Sequence, residues 1–120
     1  MDKTQIAAFL KAFKAFAVKP GGWILVPRKK NLESIMEMGI TIPQVKAAIL
    51  GLKVTDYSSG PATDRDRQGI NIWVFGTKMN GDEIYIKLSD DFRGDQAKCL
   101  SFHKAEFPIR KPFKESEGEK

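Results

Sequence analysis

The stretch INIWVFGTKMNGDEIYIKL, Ile70 to Leu88, constrains this chain more than any other. Two runs of alternating apolar and polar residues meet at Asn80-Gly81. That dipeptide accepts the positive φ angles that a two-residue hairpin turn demands. A third strand, QAKCLSFH, is expected after the turn SDDFRGD, which completes a three-stranded antiparallel meander. Because side chains alternate across a strand, Ile84, Ile86 and Leu88 fall on one face, and Tyr85 and Lys87 on the other. In KCLSFH the same rule puts Leu100 and Phe102 on the apolar face, and Cys99, Ser101 and His103 opposite.

The segments before the meander supply helices to cover the apolar face. Ile6, Phe9, Leu10, Phe13 and Ala17 recur at helical spacing behind an Asp2/Gln5 capping box, and KPGG stops that helix. WILVP reads as a short buried strand ended by Pro27. RKKNLESIMEMG reads as a helix capped by Asn31, with Leu32, Ile35 and Met36 on its apolar face and Gly39 at its stop. Thr41 and Gln44 form a second capping box, with Pro43 in the first turn and Val45, Ala48, Ile49 and Leu52 facing inward. Asp56 to Gly69, DYSSGPATDRDRQG, reads as a long polar loop. The expected fold is α+β, with N-terminal helices packed on one face of a small antiparallel sheet. Residues 1–114 form a single domain and 115–120 a disordered tail.

At 120 residues, 42% hydrophobic and 29% charged, the chain has the size and balance of one soluble globular domain. The apolar run Trp23–Val26 is too short to span a bilayer. The N-terminal stretch, broken by Lys11 and Lys14, does not read as a signal peptide. One cysteine and one histidine rule out an internal disulfide and a protein-built zinc site. A cytoplasmic protein with no metal, no cofactor and no membrane partner is expected. Lys and Arg outnumber Asp and Glu by 20 to 15, a net +5 that suits a polyanionic partner.

If helices cover the apolar face, Tyr85, Lys87, Ser101 and His103 project together from the uncovered side. Tyr, Lys and His are the types that a ribonuclease working without metal needs. An internal 2′-hydroxyl must lose a proton, the 5′-oxygen must gain one, and charge building on phosphorus must be offset. Histidine, with an ordinary pKa of about 6.5, serves either proton transfer. Tyrosine holds or donates a proton at a non-bridging oxygen, and lysine supplies fixed charge. Arg65, Arg67, Arg93 and the Arg28, Lys29, Lys30 run are candidates for holding flanking phosphates. Exposed Tyr and Lys are also common on solvated sheet faces, and pattern alone leaves the catalytic and the plain surface readings open. Trp73 and Phe75 are expected in the core. Asp64 and Asp66, interleaved with arginines, are expected in a loop salt-bridge network.

MGITIPQVKAAILGLKVTDY, IWVFG, EIYIKL and CLSFHKAEFPIRKPFK, taken in that order, resemble the MqsR family of bacterial toxins over about Met38 to Lys114. The resemblance implies a RelE-like fold, metal-free cleavage of mRNA, and silencing by a cognate antitoxin, with the ribosome as an optional further partner. It carries the family's catalytic tyrosine onto Tyr85 and the lysine after SF onto His103, with Lys104 next. Three positions depart from the family's pattern: Ser59 stands near the place of the family's lysine after the acidic-aromatic pair, Val74 in place of a glutamine, and His103 in place of the last lysine. The loop GPATDRDRQG is extra. Taken with the shared sheet face, the expected catalytic set is His103, Tyr85 and Lys87, with Arg65 or Arg67 replacing the missing lysine's charge and Lys104 among the RNA-binding residues. The competing readings are a non-catalytic RNA- or DNA-binding module and a degenerate family member acting only in protein binding.

Overall fold

The computed structural model describes residues 1–114; the expected tail, 115–120, lies outside the described residues. In chain order the elements are α1 (Lys3–Ala17), β1 (Trp23–Leu25), α2 (Lys29–Met38), α3 (Ile42–Leu50), a 3₁₀ turn at Val54–Asp56, β2 (Tyr57–Thr63), β3 (Asn71–Met79), β4 (Asp82–Ser89) and β5 (Ala97–Lys104). The fold is α+β. Its five strands form one mixed sheet in the order β1-β5-β4-β3-β2, with only the β1–β5 pair parallel.

The hairpin forms where expected. Met79 pairs with Asp82, and Asn80 and Gly81 take φ values of 54° and 85°. Both positive angles give the turn the twist of its flanking strands. Asp2 and Thr41 each close a capping box, with Gln5 and Gln44. All five expected apolar residues of α1 are buried. The Phe9 ring stacks on Trp73 with centroids 4.4 Å apart, so helix and sheet meet through aromatic faces. Phe13, Phe75 and Phe102 are fully enclosed. Each contributes about 1.5–3 kcal/mol by leaving water.

Four elements depart from expectation, each needing its correction. β1 is a half-exposed edge strand rather than a buried one, and its parallel pairing makes the sheet mixed rather than purely antiparallel. Tyr57–Thr63, expected as loop, forms the opposite edge strand β2, which Tyr57 anchors by its burial against Phe75. Leu32 and Met36 are exposed, because α2 turns Asn31, Ser34 and Ile35 inward instead. Asn31 is not the cap; Arg28 holds that position without a side-chain bond.

The fourth correction concerns β5. Leu88 pairs with Cys99 but Lys87 with Ser101, so Leu100 is an extra residue at a bulge. Cys99 therefore faces the core beside Leu88 and is fully buried, while Leu100 turns to the helix-free face. The bulge sits where β1 has ended, and Asn31 takes over the pairing. Its Nδ2 donates to the Val26 and Leu100 carbonyls at 2.9 and 3.0 Å, and its Oδ1 accepts from Phe102 N at 3.0 Å.

Asn31→Ala leaves the Leu100 carbonyl and the Phe102 amide unpaired in a buried place, while the Val26 carbonyl still accepts from Arg28 N at 2.8 Å. It should cost about 3 kcal/mol of unfolding free energy, read as a lower urea midpoint at unchanged m-value. A loss within error of zero would mean that water replaces the amide at no cost.

Candidate active site

The helix-free face carries the expected side chains together. Tyr85 and His103 are directly paired across β4 and β5, and their rings stack with centroids 5.2 Å apart at 23°. Lys87 faces Ser101 two pairs further on, about 7 Å along the strand from Tyr85. His103 Nδ1 lies 2.9 Å from the Lys104 carbonyl oxygen. That oxygen only accepts, so Nδ1 carries the proton and the neutral ring keeps its lone pair on Nε2. Burial pushes the Tyr85 phenol above its ordinary pKa, so the hydroxyl stays protonated at neutral pH and can donate. Lys87 forms no ion pair among the described residues.

Tyr85 and His103 line a hollow of about 440 Å³. Ser59 and Val74, a registered pair on β2 and β3, line it too. The positions compared with the toxin family, Ser59, Val74, Tyr85 and His103, are spread over 45 residues of chain (59 to 103, inclusive) yet open on one space. Residues 105–110 form its far wall, including Glu106, Phe107 and Arg110. The segment KAEFPIRKPFK shows no helical or strand period, and the only sequence signal for its role is its place directly after His103.

A second hollow adjoins the first. Lys87, Leu100, Ile72 and Thr63 line it from the sheet, and Arg28, Arg65 and the carboxylates of Asp64 and Asp66 complete it. Arg28 and Arg65 have no ion-pair partner among the described residues. Three of the expected cationic residues thus gather beside one another, next to the stacked pair.

The other expected phosphate-binding residues are engaged elsewhere. Arg67 and Arg93 both bond Asp91, just past the end of β4: Arg93 Nε and Nη2 donate at 2.8 and 2.9 Å, and Arg67 Nη1 at 2.9 Å. Arg67 is therefore engaged by Asp91, and the expected Asp64–Asp66 salt-bridge network does not form among the described residues. Asp64 instead accepts from Asp66 N within its own turn. Lys104 lies on the helix side, 3.7 Å from Glu37 and 3.8 Å from Asp82. Lys29 pairs with Glu33 along α2, and Lys30 with Glu106. Trp73 and Phe75 are core, as expected.

No protein-family model, curated protein or solved structure matches the chain. No described helix is long and apolar enough to cross a membrane.

The Asp91 cluster makes a measurable statement about pH. The Arg93 guanidinium, hydrogen-bonded to it, holds the Asp91 carboxyl well below the usual carboxylate range, against the opposing effect of burial. A depressed folded-state pKa stabilises the fold above the unfolded value of about 3.9, and the gain is lost as pH falls below it. Asp91→Asn should cost about 1–2 kcal/mol at neutral pH, since solvent screens the two exposed arginines. The gap to the wild type should hold down to about pH 4 and close below it, as followed by thermal unfolding. A gap that does not narrow in acid would remove the charge-based account.

Proposed function

We propose that the chain is a metal-independent endoribonuclease toxin with a RelE-like fold, cleaving mRNA by attack of an internal 2′-hydroxyl and silenced by a cognate antitoxin. The observation that carries this reading is the convergence of Ser59, Val74, Tyr85 and His103 on one hollow, with the last two rings stacked. The sequence resemblance selected those positions without reference to space.

In the proposed reaction His103 Nε2 takes the proton from the 2′-hydroxyl, whose oxygen forms a bond to the adjacent phosphorus. The P–O5′ bond breaks, and the 5′-oxygen leaves with a proton from water. The products are a 2′,3′-cyclic phosphate and a free 5′-hydroxyl. The Lys104 carbonyl keeps the imidazole in the tautomer that can act as a base. The Tyr85 hydroxyl donates to a non-bridging oxygen as charge builds there, and the Lys87 ammonium offsets that charge. Arg28 and Arg65 hold the phosphates that run on past Lys87. The departures at Ser59 and Val74 remove two polar side chains from the family's pattern, so His103 bears more of the chemistry here than the family's lysine does.

Pure protein incubated with defined RNA in EDTA should leave fragments ending in 2′,3′-cyclic phosphate. His103→Ala should lower kcat/KM about 10²-fold or more, and Tyr85→Phe roughly 10²-fold, with both variants still folded. Expression of the wild type should arrest growth, and either substitution should relieve it. Cleavage abolished by EDTA, or undiminished in both variants, overturns the proposal. Salt-sensitive RNA binding without any cut would favour the binding-module reading instead.

A further inference from the structure

One wall of the hollow is chain rather than sheet. After β5, residues 105–111 cross the helix-free face as a strap. They can do so because Gly76, opposite Tyr85, has no side chain: a Cβ there would meet Ile109 at 3.0 Å and the Lys111 Cε at 3.1 Å. The strap is tied at both ends. Glu106 pairs with Lys30 of α2, and the buried Lys111 pairs with Glu83 of β4 at 3.3 Å.

Between those ties Phe107 is 79% exposed, at the rim of the hollow that holds Tyr85 and His103. A large aromatic ring left in water on an anchored segment is poor packing for the fold but well placed for a planar ligand. The walls nearby, Val74, Pro108 and Ile109, are apolar. A volume of about 440 Å³ lies near the low end of small-ligand sites and suits one nucleotide.

Glu106 adds a polarity to that space. The Lys30 ammonium, bonded to Oε1, holds its carboxyl below the usual range, against the opposing effect of burial. The carboxylate stays ionised and can only accept hydrogen bonds. Cytosine, adenine and guanine each carry an exocyclic amino group that can donate; uracil presents a carbonyl in that place, and two acceptors would face each other with no proton between them. The Ser58 and Ser59 hydroxyls on the opposite wall both donate and accept, so they do not discriminate.

We infer that Glu106 and Phe107 form a nucleobase subsite that stacks a base of the bound RNA on Phe107 and, through Glu106, favours bases with an exocyclic amino group over uracil. The inference rests on the RNA reading of the neighbouring pair but is tested without cleavage. The probes are 2′-deoxy pentamers of cytidine and of uridine, which lack the attacking hydroxyl, with binding to the full chain followed by fluorescence anisotropy. The cytidine pentamer should bind about tenfold more tightly than the uridine pentamer. Phe107→Ala should weaken both about tenfold, and Phe107→Trp should restore them. Glu106→Gln should bring the ratio to one or invert it, because the amide can donate to uracil. Lys30→Met unties the strap equally but keeps the carboxylate, so the preference should survive in it. Absent binding, equal binding of the two pentamers, wild-type affinity in Phe107→Ala, an unchanged ratio in Glu106→Gln, or a ratio lost equally in Lys30→Met overturns the inference. The two readings fail separately. A protein that discriminates the pentamers but cuts no RNA loses the nuclease assignment and keeps the subsite; one that cuts RNA without discriminating keeps the assignment and loses the subsite.

Discussion

The side-chain amide of Asn31 decides which way the end of β5 faces. β1 stops at Leu25, and beyond it the β5 backbone would present unpaired groups to the interior. Asn31 satisfies two of them, the Leu100 carbonyl and the Phe102 amide, and ties both to Val26. A single planar amide that donates twice and accepts once stands in for the missing strand. With the bulge held this way, Cys99 and Phe102 both face the core although an odd number of positions separates them. Ser101 and His103 then fall on the helix-free face. Buried polar networks of this kind specify one arrangement among several that an apolar contact would tolerate.

Charge is distributed with the same economy. The net +5 does not make a uniformly basic surface: Arg67, Arg93 and Lys98 converge on Asp91, while Lys30 and Lys111 secure the strap. Their positive charge serves the fold. Among the cations at the open face with no ion-pair partner in the described residues, Arg28, Arg65 and Lys87 share one hollow. Composition therefore counted the charge correctly and could not say where it was available. That information lies in pairings such as Arg67–Asp91, between residues 24 positions apart.

What could be read from the sequence was what local rules determine. The Asn80-Gly81 turn, the two capping boxes and the Phe stripe of α1 each depend on residues within a few positions of one another. The strand β2 was missed because its Ser, Gly and Pro content follows turn chemistry, and only the burial of Tyr57 against Phe75 draws it into the sheet. Leu100 and Cys99 were assigned to the wrong faces because the bulge depends on a helix residue some 70 positions away. Tyr85, Lys87, Ser101 and His103 were nevertheless placed on one face. The bulge lies before Ser101, so the alternation is undisturbed from there to the strand's end. Glu106 and Phe107 had no such periodicity to reveal them; the notch at Gly76 and two long-range ion pairs set their position.

The two hollows differ in character, and Lys87 stands between them. The first combines the stacked rings with apolar walls; the second sets three cations, Arg28, Arg65 and Lys87, and two carboxylates, Asp64 and Asp66, over Ile72 and Leu100. Under the proposed reading, a strand of RNA passing along the face would leave the space at His103 and meet positive charge within about two residues' length of β4. Charge placed there acts on the phosphate next to the reacting one, where it orients the chain, as well as on the reacting phosphate itself, where it stabilises the transition state. A lysine on a helix or loop would reach the same point only at the cost of ordering its segment. On β4 its position is fixed by the register of a hairpin that the Asn80-Gly81 turn already determines. The turn and the Asn31 bulge thus act on the same site from opposite sides: one aligns β4 with β3 and so sets Val74 beside Lys87 and Gly76 beside Tyr85, and the other aligns β5 with β4 and so sets His103 beside Tyr85.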